Sequence, residues 1–225
     1  ESARNFANKL WNASRFVIMN LQDEDGNFRQ MADLTDLNKA ALQDEDKWII
    51  SRVNDATKYI TETMEKYDLA LAGQRAYDLI WNEYCDWYIE LVKTRLWADD
   101  EEDKKVVRFT LVMCLKNMLK MLHPFMPFIT EEIWSYLPHG EEQEDNPENY
   151  LIKAKWPVAS ASCIFPSASA TLETAMEIIR AIRNIRAEAE AAPSKKLRAV
   201  ILPADKSAQT VKSGEAYIKN LANIT

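Results

Sequence analysis

The sequence predicts a mainly α protein, a helix bundle followed by a small, truncated α/β unit, and three observations carry that prediction. Only 4 of the 225 residues are glycine, too few for the turns that an all-β or doubly wound fold needs. Apolar residues recur at helical spacing through long segments. The links between those segments are short, polar and marked by proline, as between antiparallel neighbours in a bundle. Residues 1–157 read as the bundle, and residues 158–225 as a linker plus a small, incomplete C-terminal α/β unit.

The periodic segments cover residues 2–21, 37–66, 68–98, 103–122, 128–137 and 171–190. Asp36 and Asp44 stand before apolar-periodic runs as helix starts, and Pro124, Pro127 and Pro138 punctuate the chain after Leu122 and Leu137. From Pro138 to Pro166 acids, prolines and a serine-alanine stretch replace the periodicity, which reads as a linker. Arg198 to Pro203 reads as one short strand ahead of a helix at about 206–222. A single strand needs partners, expected beyond Thr225 or within the small α/β unit. Both ends of the chain look cut from something longer.

Composition narrows the function classes. Cys85, Cys114 and Cys163 lie far apart in apolar stretches with no metal-ligand spacing, and read as buried thiols of a reducing compartment. Neither a signal peptide nor an apolar run of roughly 20 residues is present, so the expectation is a cytoplasmic protein without a membrane partner. His123 and His139 flank prolines and read as turn or capping residues. Tyr77, Trp81, Tyr84, Trp87, Tyr88 and Trp97 recur at spacings that read first as core.

A net charge of −7 argues against a nucleic-acid partner until its distribution is considered. Sixteen of the 35 acids fall in four clusters free of basic residues, Asp23–Asp25, Asp44–Asp46, Asp99–Asp103 and Glu141–Glu148, which leaves 19 acids against 28 basic residues. Each cluster reads as a solvated loop or helix start. From Thr171 onward nine basic residues face six acidic ones, net +3, against −10 for the first 170.

The first helix carries the sharpest functional signal. At about 100° per residue, Phe6, Leu10, Val17 and Leu21, with Ala7 and Ile18, form a core-facing stripe. Asn5, Lys9, Asn12, Phe16 and Asn20 lie opposite, bordered by Arg4, Asn8 and Arg15. Asparagine is a poor helix former, so several on one face suggest hydrogen bonding that needs both donor and acceptor. An aromatic ring among amides and cations is a platform for an unpaired base, with amides reading base edges and cations holding phosphates. The alternative is that Phe16 packs under a neighbouring helix. Arg180, Arg183 and Arg186 form a second candidate, a ridge spaced by three over a buried side of Ile178, Ile182 and Ile185. That ridge either contacts a nucleic-acid backbone or pairs with nearby acids or another domain.

The stretch ARNFANKLWNASRF at 3–16 resembles the opening helix of the anticodon-binding domain of valyl-tRNA synthetases, class I aminoacyl-tRNA synthetases. DKWIISRVN at 46–54, NEYCDWYIELVK at 82–93, LHPFMPFITEEIW at 122–134 and IRNIRAEAEAAPSKK at 182–196 continue the resemblance in order. It implies an all-helical bundle, then a small α/β unit, then in the complete protein a coiled-coil arm that this sequence does not reach. It also implies that the chain recognises the anticodon loop of tRNA(Val), through Arg4, Asn5, Lys9, Asn12, Arg15 and Phe16. Every valine anticodon ends in A then C, so a reader of those two bases serves the whole isoacceptor set.

No HIGH-type or KMSKS-type signature and no editing domain occurs here. The chain alone is therefore expected to have no catalytic residues, no metal and no cofactor. ATP and magnesium belong to the parent's catalytic domain, which the resemblance makes a covalent partner in a monomeric enzyme. The rival readings are the same domain from the isoleucine or leucine enzyme, and a helical protein-interaction module with no nucleic-acid role.

Overall fold

The computed structural model describes residues 2–32, 41–139, 149–192, 194–205 and 207–225. The chain forms two compact units, Glu1–Ile164 and Phe165–Thr225. The first contains α1 (Ser2–Leu21), α2 (Asp44–Glu65), α3 (Leu69–Asp78), a π-helical segment (Leu79–Tyr88), α4 (Ile89–Trp97), α5 (Glu101–Leu122) and α6 (Pro127–Ser135). The second contains α7 (Pro166–Glu188), α8 (Ala208–Ser213) and α9 (Glu215–Ala222).

Local chemistry sets the helix ends. The Gln43 amide donates to the Asp46 carboxylate at the start of α2, at 3.1 Å. The Asp68 carboxylate accepts from the Leu71 amide, and that of Asp100 from the Asp103 amide. Pro127 and Pro166 open α6 and α7, where a missing N–H costs nothing. The described start of α2 is Asp44, later than the periodicity suggested, and residues 33–40, including Asp36, lie outside the described residues.

In the first unit, α2 and α5 pack at the centre, with α1, the π-helical segment and α6 around them. Leu10, Val17, Ile49, Ile60, Leu79, Tyr84, Tyr88, Leu111, Leu115 and Leu119 are essentially sealed from solvent. Trp97, counted with the core aromatics, is instead 71% exposed, because it ends α4.

Two acidic clusters are helix starts, as read from the sequence, and some of their carboxylates turn inward to arginines. Arg95 reaches Glu45 at 2.9 Å, Asp46 at 2.7 Å and Asp103 at 2.6 Å, tying the start of α2, the end of α4 and the start of α5. Glu45 and Asp46 are buried, and Tyr88 donates its hydroxyl to Asp46 at 2.8 Å. Glu101 pairs with the buried Arg108 at 2.5 Å. The Asp23–Asp25 cluster remains an exposed turn at Gly26, whose φ of +83° suits glycine. Glu141–Glu148 lies outside the described residues.

The segment read as a linker is fastened to the bundle wherever it is described. Trp134 Nε1 donates to the Asn149 carbonyl at 2.6 Å, and the Leu151 amide to the Glu131 carboxylate at 2.7 Å. Trp156 Nε1 donates to Thr61 Oγ1 at 2.9 Å, and the Ser160 amide to Asn54 Oδ1 at 2.7 Å. Indole and carboxylate anchors of this kind depend on groups many residues away, so periodicity does not reveal them.

In the second unit α7 packs on α8 and α9, which break at Gly214, where a Cβ would sit 3.1 Å from that of Ala175. The expected strand at 198–203 does not form. Leu197 makes one isolated parallel bridge to Ile224, and Val200 and Leu202 are exposed. Among the described residues there is no sheet, because the only extended chain beside this run is the short stretch that follows α9. No helix among the described residues is long and apolar enough to cross a membrane.

Candidate nucleic-acid interface

Helix α1 buries Phe6, Leu10, Ala13, Ser14, Val17 and Leu21 and turns Arg4, Asn5, Asn8, Asn12 and Arg15 to solvent. The small residues Ala13 and Ser14 complete the buried stripe; Ser14 Oγ satisfies itself on the Leu10 carbonyl at 2.9 Å. The exposed row therefore presents three amides and two guanidinium groups along one helix.

Phe16 lies at the edge of that row, half-buried, with the Lys93 ammonium 5.8 Å from its ring centroid. Phe16 is thus neither part of the sealed core stripe nor fully solvated. Asn20 does not add to the row, because its amide donates to the Phe16 carbonyl at 2.8 Å. Local back-bonding of this kind is an ordinary fate of a short polar side chain in a helix.

Lys9 is held more closely than its sequence position suggests. Its ammonium is 2.5 Å from Asp86 Oδ1 and 3.8 Å from the centroid of the Trp81 ring. Trp81 in turn stacks on Tyr77 at 5.6 Å, and Tyr77 meets Phe6 at 4.8 Å. Both partners belong to the π-helical segment. At about 100° per residue an α-helix would turn residues 81 and 86 roughly 140° apart. A helix closed by i→i+5 bonds brings residues five apart onto nearly the same face. The segment is anchored by Glu83, whose carboxylate takes Arg52 at 2.8 Å and Arg75 at 3.0 Å, and by Tyr84, whose hydroxyl donates to the Leu111 carbonyl at 2.9 Å.

A groove of about 230 Å³ runs beside Arg15 between α1 and α6, floored by Trp11, Ile18 and Ile133 and flanked by Met19 and Tyr136. Sequence reasoning missed it. The signal available was Trp11 and Met19, two large apolar side chains off the core stripe.

The arginine ridge on α7 separates into different roles. Arg180 and Arg183 are exposed, and Arg183 donates to the Leu221 carbonyl at 2.9 Å. Arg186 is buried, donating to the carbonyls of Asn223 at 3.2 Å, Ala192 at 3.0 Å and Lys195 at 2.8 Å. Its guanidinium is engaged with the turn that follows α7. The side buried beneath the ridge consists of Leu172, Ala175, Met176 and Ile179, while Ile185 is 64% exposed, so the expected face is rotated.

His123 Nδ1 pairs with Thr130 Oγ1 at 2.8 Å and His139 Nε2 with the Trp134 carbonyl at 2.8 Å, both local turn contacts. Burial pushes the Cys85 thiol up to about 12, and pushes that of Cys114 well above its ordinary value, the opposite of an activated nucleophile. No group of three or more acidic, histidine or cysteine side chains among the described residues is placed to hold a metal ion.

The first unit is a helical bundle that presents a row of amides and guanidinium groups on one exposed helix face. The chain belongs to the family of anticodon-binding domains of tRNA ligases, whose profile matches residues 46–201. It is similar along 99% of its length to valine--tRNA ligases: 42% identical to that of Clostridium perfringens, 40% to that of Geobacter sulfurreducens and 38% to that of Bacillus licheniformis. The chain spans about a quarter of these relatives, 24% in each case. Helix α1 precedes the family match but falls within the aligned length of the relatives.

Proposed function

We propose that this chain is the part of a valine--tRNA ligase that binds the anticodon loop of tRNA(Val), with α1 as the reading helix. The observation that carries the reading is the row Arg4, Asn5, Asn8, Asn12 and Arg15, exposed together above a sealed core stripe, with Phe16 at its edge. Amides supply paired donors and acceptors for base edges, guanidinium groups suit phosphates, and the ring offers a stacking surface. Arg180 and Arg183 are proposed as backbone contacts. Activation of valine with ATP and magnesium, and its transfer, are assigned to other parts of the parent enzyme. The relatives' printed names support valine over isoleucine or leucine.

The test uses the complete ligase and transcripts of tRNA(Val) with wild-type or substituted anticodon bases. Phe16→Ala should lower valylation kcat/KM on the wild-type transcript by about 1–3 kcal/mol in transition-state terms, the worth of one base–aromatic stack. The loss should be much smaller on transcripts whose anticodon is already wrong. An equal loss on every transcript that follows a fall in thermal midpoint would mean that Phe16 is a packing residue. Preference for an isoleucine or leucine transcript would transfer the domain to those enzymes.

A further inference from the structure

Lys9 borders the proposed reading row, half-buried, yet it is not an available cation. Its ammonium has three N–H donors. One meets Asp86 Oδ1 at 2.5 Å, the Trp81 ring covers another side at 3.8 Å, and the side chain is only 24% exposed. The Asp86 carboxylate, 48% exposed, compensates its charge at the surface. A lysine meant to neutralise a phosphate gains from free reach and uncompensated charge, because release of condensed counterions drives that contact. Here both have been given up. What remains is a donor fixed in direction, which suits a hydrogen-bond acceptor on a base edge.

The fixing is built from elsewhere in the fold. Trp81 and Asp86 converge on Lys9 because the chain between them is π-helical. Trp81 is backed by the Tyr77 and Phe6 rings, and the segment is pinned by Glu83 between Arg52 and Arg75. Next to it, Asp78 accepts from Gln74 at 3.2 Å and from Asn82 at 3.1 Å, so Asp86 is the carboxylate of this face directed at α1.

We propose that Asp86 and Trp81 are positioning residues that hold Lys9 as a charge-compensated, directed donor for an acceptor on a base of the bound anticodon loop, and that Asp86 also repels phosphates from that point. This rests on the reading of α1 as the RNA-binding helix.

Three variants of the complete ligase test it, Lys9→Met, Asp86→Asn and Phe16→Ala, by valylation of wild-type and anticodon-substituted transcripts and by the slope of binding against salt. Lys9→Met should cut discrimination against one anticodon substitution about 10- to 100-fold, with little change in salt slope. Asp86→Asn should also cut discrimination while steepening the slope by about 0.7, as the released ammonium gains a phosphate. Binding of wrong transcripts should then tighten. If Lys9→Met instead weakens all transcripts alike and flattens the slope by about 0.7, Lys9 is a phosphate contact and the proposal is wrong. It is equally wrong if Asp86→Asn lowers only the thermal midpoint. If Phe16→Ala alters valylation while neither other variant does, the reading of α1 stands and the positioning role falls. If none of the three alters any transcript's valylation, both fall.

Discussion

Arg186 donates to the carbonyls of Ala192, Lys195 and Asn223, so its guanidinium closes the turn after α7 onto the end of α9. Removing it takes three charge-assisted hydrogen bonds from that turn at once. Arg186→Ala should cost the Phe165–Thr225 unit about 2–4 kcal/mol, and Arg186→Lys should restore little, since an ammonium does not reproduce the planar fork. Hydrogen exchange of the α9 amides reads this, and unchanged protection would show the contacts to be unimportant. Lys116 offers a pH test. Burial, helped by Lys120, pushes its ammonium down to about 8 from the ordinary 10.5. The folded chain thus loses that proton before the unfolded chain does, so stability should rise between about pH 8 and 10.5. Lys116→Met should flatten the rise in urea midpoint across that window, and an identical slope in the variant would refute it. Neither residue's role is legible in sequence: an arginine at position 186 reads as one tooth of a polar ridge until the helix is seen rotated.

At the scale of elements, Arg95 is the joint on which α2, α4 and α5 meet. Its loss would leave the buried carboxylates of Glu45 and Asp46 without their arginine, so Arg95→Met should destabilise the first unit by about 3–5 kcal/mol at neutral pH. The variant should also lose the acid sensitivity that the pair gives the wild type. The hydrogen bond from Arg95 holds the Asp103 carboxyl below its ordinary 3.8, so its contribution is present above about pH 4 and lost as the pH falls further. Urea titrations at pH 7, 5 and 3 separate the two, and parallel curves would contradict the joint. The helices themselves were legible, because a 3.6-residue period is local, whereas the caps Asp68 and Asp100 were not among the starts read from the sequence. The π-helical segment was not. Its residues are apolar or aromatic on nearly every side, and the choice of i→i+5 over i→i+4 bonding accompanies Glu83 and Tyr84 being anchored to other helices.

For the molecule as a whole, the net charge of −7 is hardly changed by internal pairing. Glu45, Asp46, Glu83, Glu101 and Asp103 are paired with Arg52, Arg75, Arg95 and Arg108, five acids against four cations. The chain therefore stays net acidic, and by itself it should bind tRNA no tighter than about micromolar, with about a tenfold loss between 50 and 200 mM salt. Filter binding across that range checks it, and submicromolar binding insensitive to salt would contradict it. The sequence by itself determined the mainly helical fold, the order of its helices, the sealed stripe of α1 and the exposed amide row opposite. All of these follow from a period repeated within single helices. Tertiary structure alone decided that Lys9 is bound to Asp86, 77 residues away, that Arg95 joins acids 50 residues away, and that the stretch after Asn149 is fastened to α2 and α6. Such pairings depend on how helices cross and in what register, which no local pattern encodes.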